Sequence, residues 1–353
     1  MKKLFKAALS LLLVILIGAS GLIAYLSVTE FKPKAIEEIE VLGSETLSSL
    51  KLGEELDILC WNIGYAGLGK ESDFFMDGGK SVAAADEETV KSYLKGIVET
   101  VNNMNADILL LQELDKDSTR SYGIDQRSYF AGAENDAAYA MNFSCKFVPF
   151  PLPPIGKVNS GLYTVTNGYS IDSAQRIALP CPFSWPVRMA NLKRCLLVSY
   201  MPIEGSDKQL VLVNLHLEAY DDGEGKLAQT MMLEQFLIEE YEKGNYVIAG
   251  GDFNQSFAGS NGLYPIKNPD LWYPGAIPDN TMPEGWSLAY DASVPTCRLL
   301  NQPYDPSDTE NTQYYVIDGY ILSPNVELIS VETVDEAFEN SDHNPVVLKA
   351  VLK

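Results

Sequence analysis

The hydrophobic and polar positions of residues 56–353 follow two alternating patterns, one typical of buried strands and one of amphipathic helices. Short apolar runs bounded by polar residues predict strands at 56–61, 107–111, 161–165, 194–201, 210–217, 246–249, 314–322 and 346–352. Apolar residues at helical spacing predict helices at 87–104 and 226–243. The second helix carries an apolar stripe that includes Leu227 and Met231, and we expect this stripe in the core. The combination predicts a mixed α/β domain.

Three segments lack a clear strand pattern. Residues 137–147 are expected to be partly helical, and the proline-dense segment 149–154 cannot form a central strand. Residues 256–311 are rich in glycine, proline and aromatic residues and show little periodicity. Loops of this length in compact domains are usually lids or substrate-binding insertions, so we expect such a role here.

The amino terminus has the pattern of a membrane anchor. Three lysines within the first six residues precede residues 7–28, which contain no charge. As a helix these 22 residues span about 33 Å, which is enough to cross the core of a bilayer. Positive residues before the span predict a cytoplasmic amino terminus and place residues 29–353 outside. The length favours a retained anchor; the alternative is a cleaved secretory signal, with Ala19 and Gly21 near the cut and a secreted product.

The rest of the chain is expected to form a linker and one folded domain. Residues 29–55 are polar and mixed in character, with Pro33 and Gly43, and are typical of a stalk. Neither an internal repeat nor a change in composition divides residues 56–353. We therefore expect a single catalytic domain over this range.

Composition limits the classes of partner. The 353 residues include 48 acidic and 26 basic side chains, a formal charge of −22. Proteins that grip long nucleic acids depend on a basic surface, so this charge disfavours duplex DNA. It does not exclude a metal ion that reverses the field at one site. The five cysteines have no CxxC or zinc-like spacing, and at most two disulfides leave one thiol over.

The segment 246–254 combines a buried strand with candidate chemistry. After its apolar residues, Gly250 and Gly251 are expected to let the backbone turn tightly. Asp252 and Asn254 follow two positions apart, so in an extended turn their side chains converge on one small volume. A carboxylate beside a hydrogen-bond donor is suited to activating water and holding a phosphoryl oxygen. The same residue types also form ordinary turns, so this segment alone does not decide between the two.

Polar residues suited to metal or phosphate chemistry follow several of the predicted strands. They are Asn62, Glu113, His216, Asp252, Asn254, Asp318, Asp342 and His343. The chain has only two histidines, and both belong to this set. A single histidine is more often structural than catalytic, but two of two at carboxylate-bearing strand ends favour a catalytic site.

The order of these motifs resembles the endonuclease/exonuclease/phosphatase superfamily. The segments that carry the resemblance are Trp61-Asn62-Ile63, Leu111-Gln112-Glu113, Asn214-Leu215-His216-Leu217, Gly251-Asp252-Phe253-Asn254, Ile317-Asp318-Gly319-Tyr320 and Ser341-Asp342-His343. They span roughly residues 55–353. The resemblance implies a four-layer α/β sandwich of two packed mixed β-sheets flanked by helices, here preceded by one transmembrane helix. It also implies a site at the strand ends that uses Mg²⁺ or Mn²⁺.

The resemblance further implies which residues hold the metal. Glu113 corresponds to the principal ligand, and Asn62 lies beside it at the metal or the phosphate. Asp342 corresponds to a residue that ligates or orients a second ion. Oxygen ligands with few imidazoles suit magnesium rather than zinc, which agrees with the composition.

The remaining strand-end residues correspond to the chemical machinery. By resemblance, Asp318 orients His343 near the scissile phosphate, and Asp252 deprotonates the attacking water. His216 and Asn254 would donate hydrogen bonds to phosphoryl oxygens as negative charge develops. The sequence leaves the general base open between Asp252 and His343.

These expectations describe a divalent-metal-dependent phosphoesterase on the outer face of a membrane. A phospholipid headgroup, a sugar or inositol phosphate, or a small phosphodiester is the expected substrate, and a monomer is expected. Arg120, Arg127 and Arg176 are candidate phosphate contacts, with surface ion pairs as the alternative. The rival hypotheses are a secreted or surface nuclease and a catalytically silent binding module with the same fold.

Overall fold

The computed structural model describes residues 1–43, 47–132, 135–221, 223–308 and 310–353. Its helices are α1 (Lys2–Val28), α2 (Glu87–Met104) and α3 (Glu224–Glu242). Its strands are β1 (Ile36–Ile39), β2 (Val41–Leu42), β3 (Glu55–Asn62), β4 (Ile108–Asp115), β5 (Asn135–Val148), β6 (Gly156–Asn167), β7 (Ser173–Ala178), β8 (Cys195–Pro202), β9 (Gln209–His216), β10 (Tyr246–Asp252), β11 (Gln255–Phe257), β12 (Gly275–Ile277), β13 (Ser287–Ala289), β14 (Cys297–Arg298), β15 (Tyr314–Tyr315), β16 (Asp318–Leu322), β17 (Val326–Thr333) and β18 (Val346–Leu352).

Most of the strands form two seven-stranded mixed sheets that pack face to face. One sheet has the order β1-β7-β8-β9-β10-β16-β13, and the other has the order β17-β18-β3-β4-β6-β5-β2. The central pairs β3–β4 and β9–β10 are parallel, whereas their outer neighbours β18, β6, β8 and β16 run antiparallel to them. Because parallel strands end at the same edge of a sheet, each pair brings two strand ends together.

Apolar side chains fill the space between the sheets. Leu110 of one sheet and Leu212 of the other are fully buried in this layer. The Tyr320 hydroxyl crosses it and lies 2.8 Å from the carbonyl oxygens of both Ile58 and Val346. With helices on the outer faces, this is the sandwich that the motif order implied, and the predicted fold class is confirmed.

Helices α2 and α3 cover the outer faces of the two sheets. α2 has the predicted bounds, and the carboxylate of Asp86 caps its first turn. In α3, Leu233 and Leu237 are buried against the sheet, but Leu227 and Met231 are 61% and 59% exposed. The predicted apolar stripe is therefore only partly in the core, because the buried face of the first turns of α3 is formed by Gly225, Lys226, Gln229 and Thr230.

The prediction of partial helix at residues 137–147 is wrong. This segment lies in β5, which pairs with β6 along most of its length and with β2 near its start. Ala137, Ala138 and Ala140 favour helix by intrinsic preference, but all three are buried within the sheet. Pairing and burial supplied by residues distant in sequence outweigh that local preference.

Two segments expected as linker and loop contribute strands. Within residues 29–55, β1 pairs with β7 and β2 pairs with β5, so this segment adds an edge strand to each sheet instead of forming a separate stalk. Leu50 is buried and forms an isolated β-bridge with Ile203. Within residues 256–311, β13 joins the first sheet beside β16. Short edge strands of this kind depend on distant partners, which a local pattern does not reveal.

Helix α1 is long and apolar enough to cross a membrane. A signal sequence meets the same criteria of length and composition. Near its C-terminal end, Leu22 and Leu26 pack with Phe143, Val148 and Met189 of the folded body. The five cysteines are all free thiols.

Candidate active site

The ends of β3, β4, β9 and β10 and the start of β16 meet at one edge of the sandwich. Asp252 of β10 pairs with His216 of the parallel β9 and with Asp318 of the antiparallel β16. Asn62 ends β3 in the opposite sheet, and its side chain reaches Asp252. Strand order thus brings together residues that are distant in sequence.

Strand β10 continues through the glycine pair that was expected to turn. Gly250 and Gly251 pair with both neighbouring strands. A Cβ atom on Gly250 would collide with the Tyr320 ring, and one on Gly251 would collide with the carbonyl oxygen of Leu215. The glycines are therefore required for close packing beside Asp252 rather than for a turn.

Glu113 lies at a bulge near the end of β4. The register between β4 and β6 shifts between Leu111 and Leu114, and Glu113 has a left-handed backbone with φ of 53°. This conformation is unfavourable for residues other than glycine, so the surrounding fold holds Glu113 in a strained state. The bulge leaves its side chain partly exposed while its neighbours are buried. Strain of this kind is concentrated at functional positions.

The Asn62 side chain links carboxylates that belong to different sheets. Its Nδ2 donates to Asp252 Oδ2 at 3.0 Å and to Glu113 Oε1 at 3.3 Å. Its Oδ1 accepts from the backbone N of Gly64 at 3.0 Å. Asn62 does adjoin Glu113, as predicted, but its amino group rather than its oxygen faces the carboxylates. In this arrangement it orients the two acids.

Asp252 is the centre of the cluster. Its Oδ2 lies 3.5 Å from His216 Nε2 and 3.8 Å from His343 Nε2, and its Oδ1 accepts from the backbone N of Asn254 at 2.8 Å. Asn254 has a left-handed φ of 50°, which turns its Nδ2 to within 3.4 Å of Asp252 Oδ2. Burial, reinforced by Asp318, raises the pKa of Asp252 to about 7. A carboxylate that titrates near neutral pH is well matched to accept a proton from water.

The two histidines have opposite electrostatic surroundings. His343 Nδ1 lies 2.9 Å from Asp318 Oδ2, and the Trp61 indole donates to the His343 carbonyl oxygen at 2.8 Å. Burial alone would lower the pKa of His343, but Asp318 and neighbouring groups hold it well above its ordinary value. Burial, with Arg194 and His343 nearby, lowers the pKa of His216 well below its ordinary value. At pH 7 one imidazole is therefore charged and the other neutral.

Glu113 and Asp342 offer carboxylate oxygens that could hold a divalent cation. Both present carboxylate oxygens, and burial raises the pKa of Asp342 to about 7, with the charge of Glu113 contributing to the rise. A divalent ion beside two mutually repelling carboxylates relieves that repulsion. Oxygen ligands of this type suit Mg²⁺ or Mn²⁺.

Two other groups of potential ligand atoms lie close together among the described residues. Within each group the atoms are no more than 4.8 Å apart; the groups are Cys297, Asp342 and His343, and Asp252, Asp318 and His343. The first is a poor site for Mg²⁺, because this hard cation prefers oxygen ligands to the sulfur of Cys297. In the second group, His343 Nδ1 and Asp318 Oδ2 already form a hydrogen bond with each other.

Comparison with known proteins bears on the architecture. No protein-family model and no curated protein sequence matches the chain. An endonuclease/exonuclease/phosphatase from Beutenbergia cavernae matches with a TM-score of 0.56 and 16% identity, covering 84% of this chain and 72% of that one. ANGEL2, a 2′,3′-cyclic phosphatase, in complex with adenosine-2′,3′-vanadate, matches with a TM-score of 0.56 and 15% identity, covering 90% of this chain and 99% of that one. The chain has the endonuclease/exonuclease/phosphatase fold.

On this endonuclease/exonuclease/phosphatase fold, the strand-end residues singled out in the sequence lie at one edge. They are Asn62, Glu113, His216, Asp252, Asn254, Asp318, Asp342 and His343. The contacts given above connect them into one cluster that spans both sheets. Their chemical roles stay predictions that the experiments below address.

The three arginines predicted as phosphate contacts each interact with other groups of the protein. Arg120 pairs with Asp115 at 3.0 Å and stacks over the Tyr65 ring, and Arg127 pairs with Asp125 at 2.7 Å. Arg176 is buried, and it donates to two backbone carbonyl oxygens. The structure therefore gives each guanidinium an intramolecular partner, and their role as substrate contacts stays a prediction.

A carboxylate beside the cluster has no counterpart in the sequence motifs. Asp77 lies in the loop between β3 and α2, and its carboxylate accepts from the Tyr220 hydroxyl at 2.9 Å and the Leu300 backbone N at 3.2 Å. Burial raises the pKa of Asp77 to about 6, and the nearby charge of Glu113 adds to this effect. The Tyr220 ring centroid lies 6.1 Å from that of Trp272. The only signal for Asp77 in the sequence is that its loop follows β3, which ends in the motif residue Asn62.

Proposed function

We propose that this protein is a divalent-metal-dependent phosphoester hydrolase that uses water as its nucleophile. The observation that carries the proposal is the environment of Asp252. Its Oδ2 faces two imidazole nitrogens and the Asn62 amide within 3.8 Å, while Asp318 contacts the other ring nitrogen, Nδ1, of His343. A buried acid of raised pKa surrounded by hydrogen-bond donors is suited to proton transfer rather than to fold stability.

Glu113 and Asp342 would hold Mg²⁺ or Mn²⁺, with Asn62 orienting Glu113. The bound ion would neutralise charge on the phosphoryl oxygens and help to fix the phosphate in place. The carboxylate oxygens and the mutual repulsion described above support this assignment.

The protonation states of the remaining site residues would decide which of them accepts a proton and which donate hydrogen bonds. Asp252, with a pKa near neutrality, would take the proton from the attacking water. His343, kept protonated by Asp318, would donate to a phosphoryl oxygen as negative charge develops. A protonated imidazole cannot act as a base, and this favours Asp252 over His343 for that role. His216 and Asn254 would donate further hydrogen bonds.

The net charge and the candidate membrane helix limit the classes of substrate to be tested. A net charge of −22 opposes duplex DNA, and α1 supports attachment to a membrane with the folded body on its outer face. ANGEL2 is a 2′,3′-cyclic phosphatase, which makes a phosphodiester a reasonable first probe. Phospholipid headgroups, sugar or inositol phosphates and small diesters are the classes we would test.

The full-length protein in detergent should hydrolyse bis-p-nitrophenyl phosphate or p-nitrophenyl phosphate in the presence of Mg²⁺. Asp252→Asn should lower kcat about 10³-fold. Asp136→Asn is the matched control, because Asp136 is also buried but accepts from the Ile171 backbone N at the opposite end of the sheet. Equal losses in the two variants, or an active Asp252→Asn enzyme, would contradict the assigned role.

The same preparation distinguishes the rival functions. Plasmid DNA cleaved faster than any small ester would favour a nuclease. Absence of turnover on the small esters, inositol phosphates, phospholipids and plasmid, together with no Mg²⁺ binding by calorimetry, would favour a catalytically silent binding module.

A further inference from the structure

Two loops project from the edge of the sandwich that carries the catalytic cluster. Residues 149–155 join β5 to β6, and the start of β6 pairs with the end of β4, where Asp115 lies opposite Ser160. Residues 179–194 join β7 to β8, and the start of β8 pairs with the end of β9. These two edge loops therefore lie at the same end of the molecule as Glu113 and His216.

The C-terminal end of α1 is fixed between the edge loops. Leu26 packs in a cluster with Val148 and Met189, which flank the exposed parts of the two loops. The Trp185 indole donates to Ser27 Oγ at 3.1 Å, and the Ser27 hydroxyl donates to Met189 Sδ at 3.1 Å. The candidate membrane span thus joins the body at its active-site end.

The tips of the edge loops carry large exposed apolar side chains. Phe150 is 68% exposed, Leu152 90%, Trp185 53% and Val187 55%. Isolated apolar residues on a protein surface are ordinary. These four differ because they lie on the two loops that flank the end of a membrane-type helix, and aromatic residues are favoured at the membrane–water interface.

The charge of this region is the reverse of the rest of the chain. Residues 137–203 contain one acidic residue, Asp172, and six basic residues, although the whole chain has 48 acidic and 26 basic residues. Lys146 and Arg188 are exposed beside the edge loops, and Arg188 forms an ion pair with Glu30 at 3.1 Å. The exposed Lys146 and the scarcity of acidic residues in this segment are compatible with anionic lipid headgroups, which the rest of the acidic chain would repel.

We infer that the edge loops contact the bilayer that α1 enters, so that the mouth of the active site faces the lipid surface. The Phe150 ring lies 5.9 Å from the ring of Phe75, which is two residues before the site carboxylate Asp77. The contact is therefore continuous with the rim of the site. It implies a substrate class, a phosphate ester in a lipid headgroup of the same leaflet. That substrate class rests on the proposed hydrolase function, whereas the contact itself does not.

Fluorescence quenching by brominated phosphatidylcholine tests the contact in full-length protein reconstituted into nanodiscs. Quenching attributable to Trp185 is the difference between wild type and Trp185→Phe. Phe150→Trp and Leu52→Trp, each placed in the Trp185→Phe background, report on an edge loop and on a control site. Leu52 is 46% exposed and lies beside the end of β18, at the opposite edge of the sandwich.

At least twofold stronger quenching of Trp185 and of the introduced Trp at 150 than of the one at 52 is expected. Equal quenching at the three positions would overturn the bilayer contact, whatever the enzyme hydrolyses.

Paired activity measurements in proteoliposomes test the substrate class. Leu152→Asp with Val187→Asp should lower phospholipid hydrolysis about tenfold and leave bis-p-nitrophenyl phosphate hydrolysis unchanged, with Leu52→Asp as the control. Wild-type protein that cleaves the soluble diester but no phospholipid would overturn the lipid class alone. Wild-type protein that cleaves neither would overturn the proposed function, while the quenching result would stand.

Discussion

At the scale of single residues, the two histidines are distinguished by their partners. His343 contacts the Asp318 carboxylate, whereas His216 Nδ1 is buried without a hydrogen-bond partner among the described residues. This difference sets the pKa of His343 above, and that of His216 below, the ordinary value. The division of roles in the site depends on this contrast.

Nitrogen NMR of the histidine side chains can observe the contrast directly, since the chain has only two histidines. In metal-free protein at pH 7.5, His343 should be protonated on both ring nitrogens and His216 on one. The measurement is the ¹⁵N chemical shift of each imidazole across pH 5 to 9, with His216→Gln for assignment. Both rings titrating together near pH 6.5 would contradict the assignment.

Asp318→Asn tests whether Asp318 is the cause of the raised pKa of His343. Removing the carboxylate removes the main group that raises the pKa of His343, so the imidazole should lose its proton at lower pH. We expect kcat to fall about 100-fold with little change in KM, because the group that loses its charge acts on the transition state.

The grouping of the strand-end residues at one edge was predictable at this scale, but the orientations of their side chains were not. Motifs such as Gly251-Asp252-Phe253-Asn254 are local and can be recognised in one sequence. The contact of the Asn62 amino group with both Glu113 and Asp252 depends on two sheets meeting. The Asp77–Tyr220 contact joins loops far apart in sequence, and the motifs gave no indication of it.

At the scale of secondary-structure elements, the bulge in β4 positions Glu113, the proposed metal ligand. It holds Glu113 at φ of 53°, a conformation that costs about 1–2 kcal/mol for a residue with a side chain. Pairing on both sides of β4 maintains the conformation.

Replacing Glu113 by glycine and by alanine separates strain from chemistry. Both variants should lose Mg²⁺-dependent turnover, but Glu113→Gly should be about 1 kcal/mol more stable than Glu113→Ala, because glycine adopts this backbone freely. Thermal unfolding should show a Tm difference of about 2 °C or more. If the alanine variant were as stable as the glycine variant, the backbone would not be strained.

The elements themselves were predictable where local pattern and final packing agree. α2 and β18 have the predicted bounds because one apolar face or one buried run defines each of them. β5 was mistaken for helix because its alanines favour helix locally, and only its pairing with β6 decides otherwise. The edge strands β1 and β2 have weak patterns of their own and are ordered by the sheets that they join.

At the scale of the whole molecule, the buried acids of the site couple folding to pH. The pKa of Asp252 is about 7 in the folded protein because of burial and Asp318, and about 3.9 in an unfolded chain. The folded state therefore favours the protonated form. The stability from this group is fully present below about pH 4 and is lost as pH rises through 7.

The metal-free protein should reveal this coupling in its thermal unfolding. Asp252→Asn removes the buried charge, so it should raise Tm relative to wild type by more at pH 8 than at pH 5. Saturating Mg²⁺ should narrow the difference at pH 8, because a nearby cation favours the charged carboxylate. A difference that does not change with pH would show that Asp252 is not held in a raised-pKa environment.

The central claim is that the cluster at the sheet edge is the active site of a metal-dependent phosphoester hydrolase. The most direct test is the rate of bis-p-nitrophenyl phosphate hydrolysis as Mg²⁺ is restored after chelation. Full-length wild-type protein should be inactive in EDTA and should regain turnover as a saturable function of Mg²⁺. Glu113→Gln should need far more Mg²⁺ or stay inactive. Turnover that persists in EDTA, or that Glu113→Gln retains with the wild-type Mg²⁺ dependence, would contradict the account.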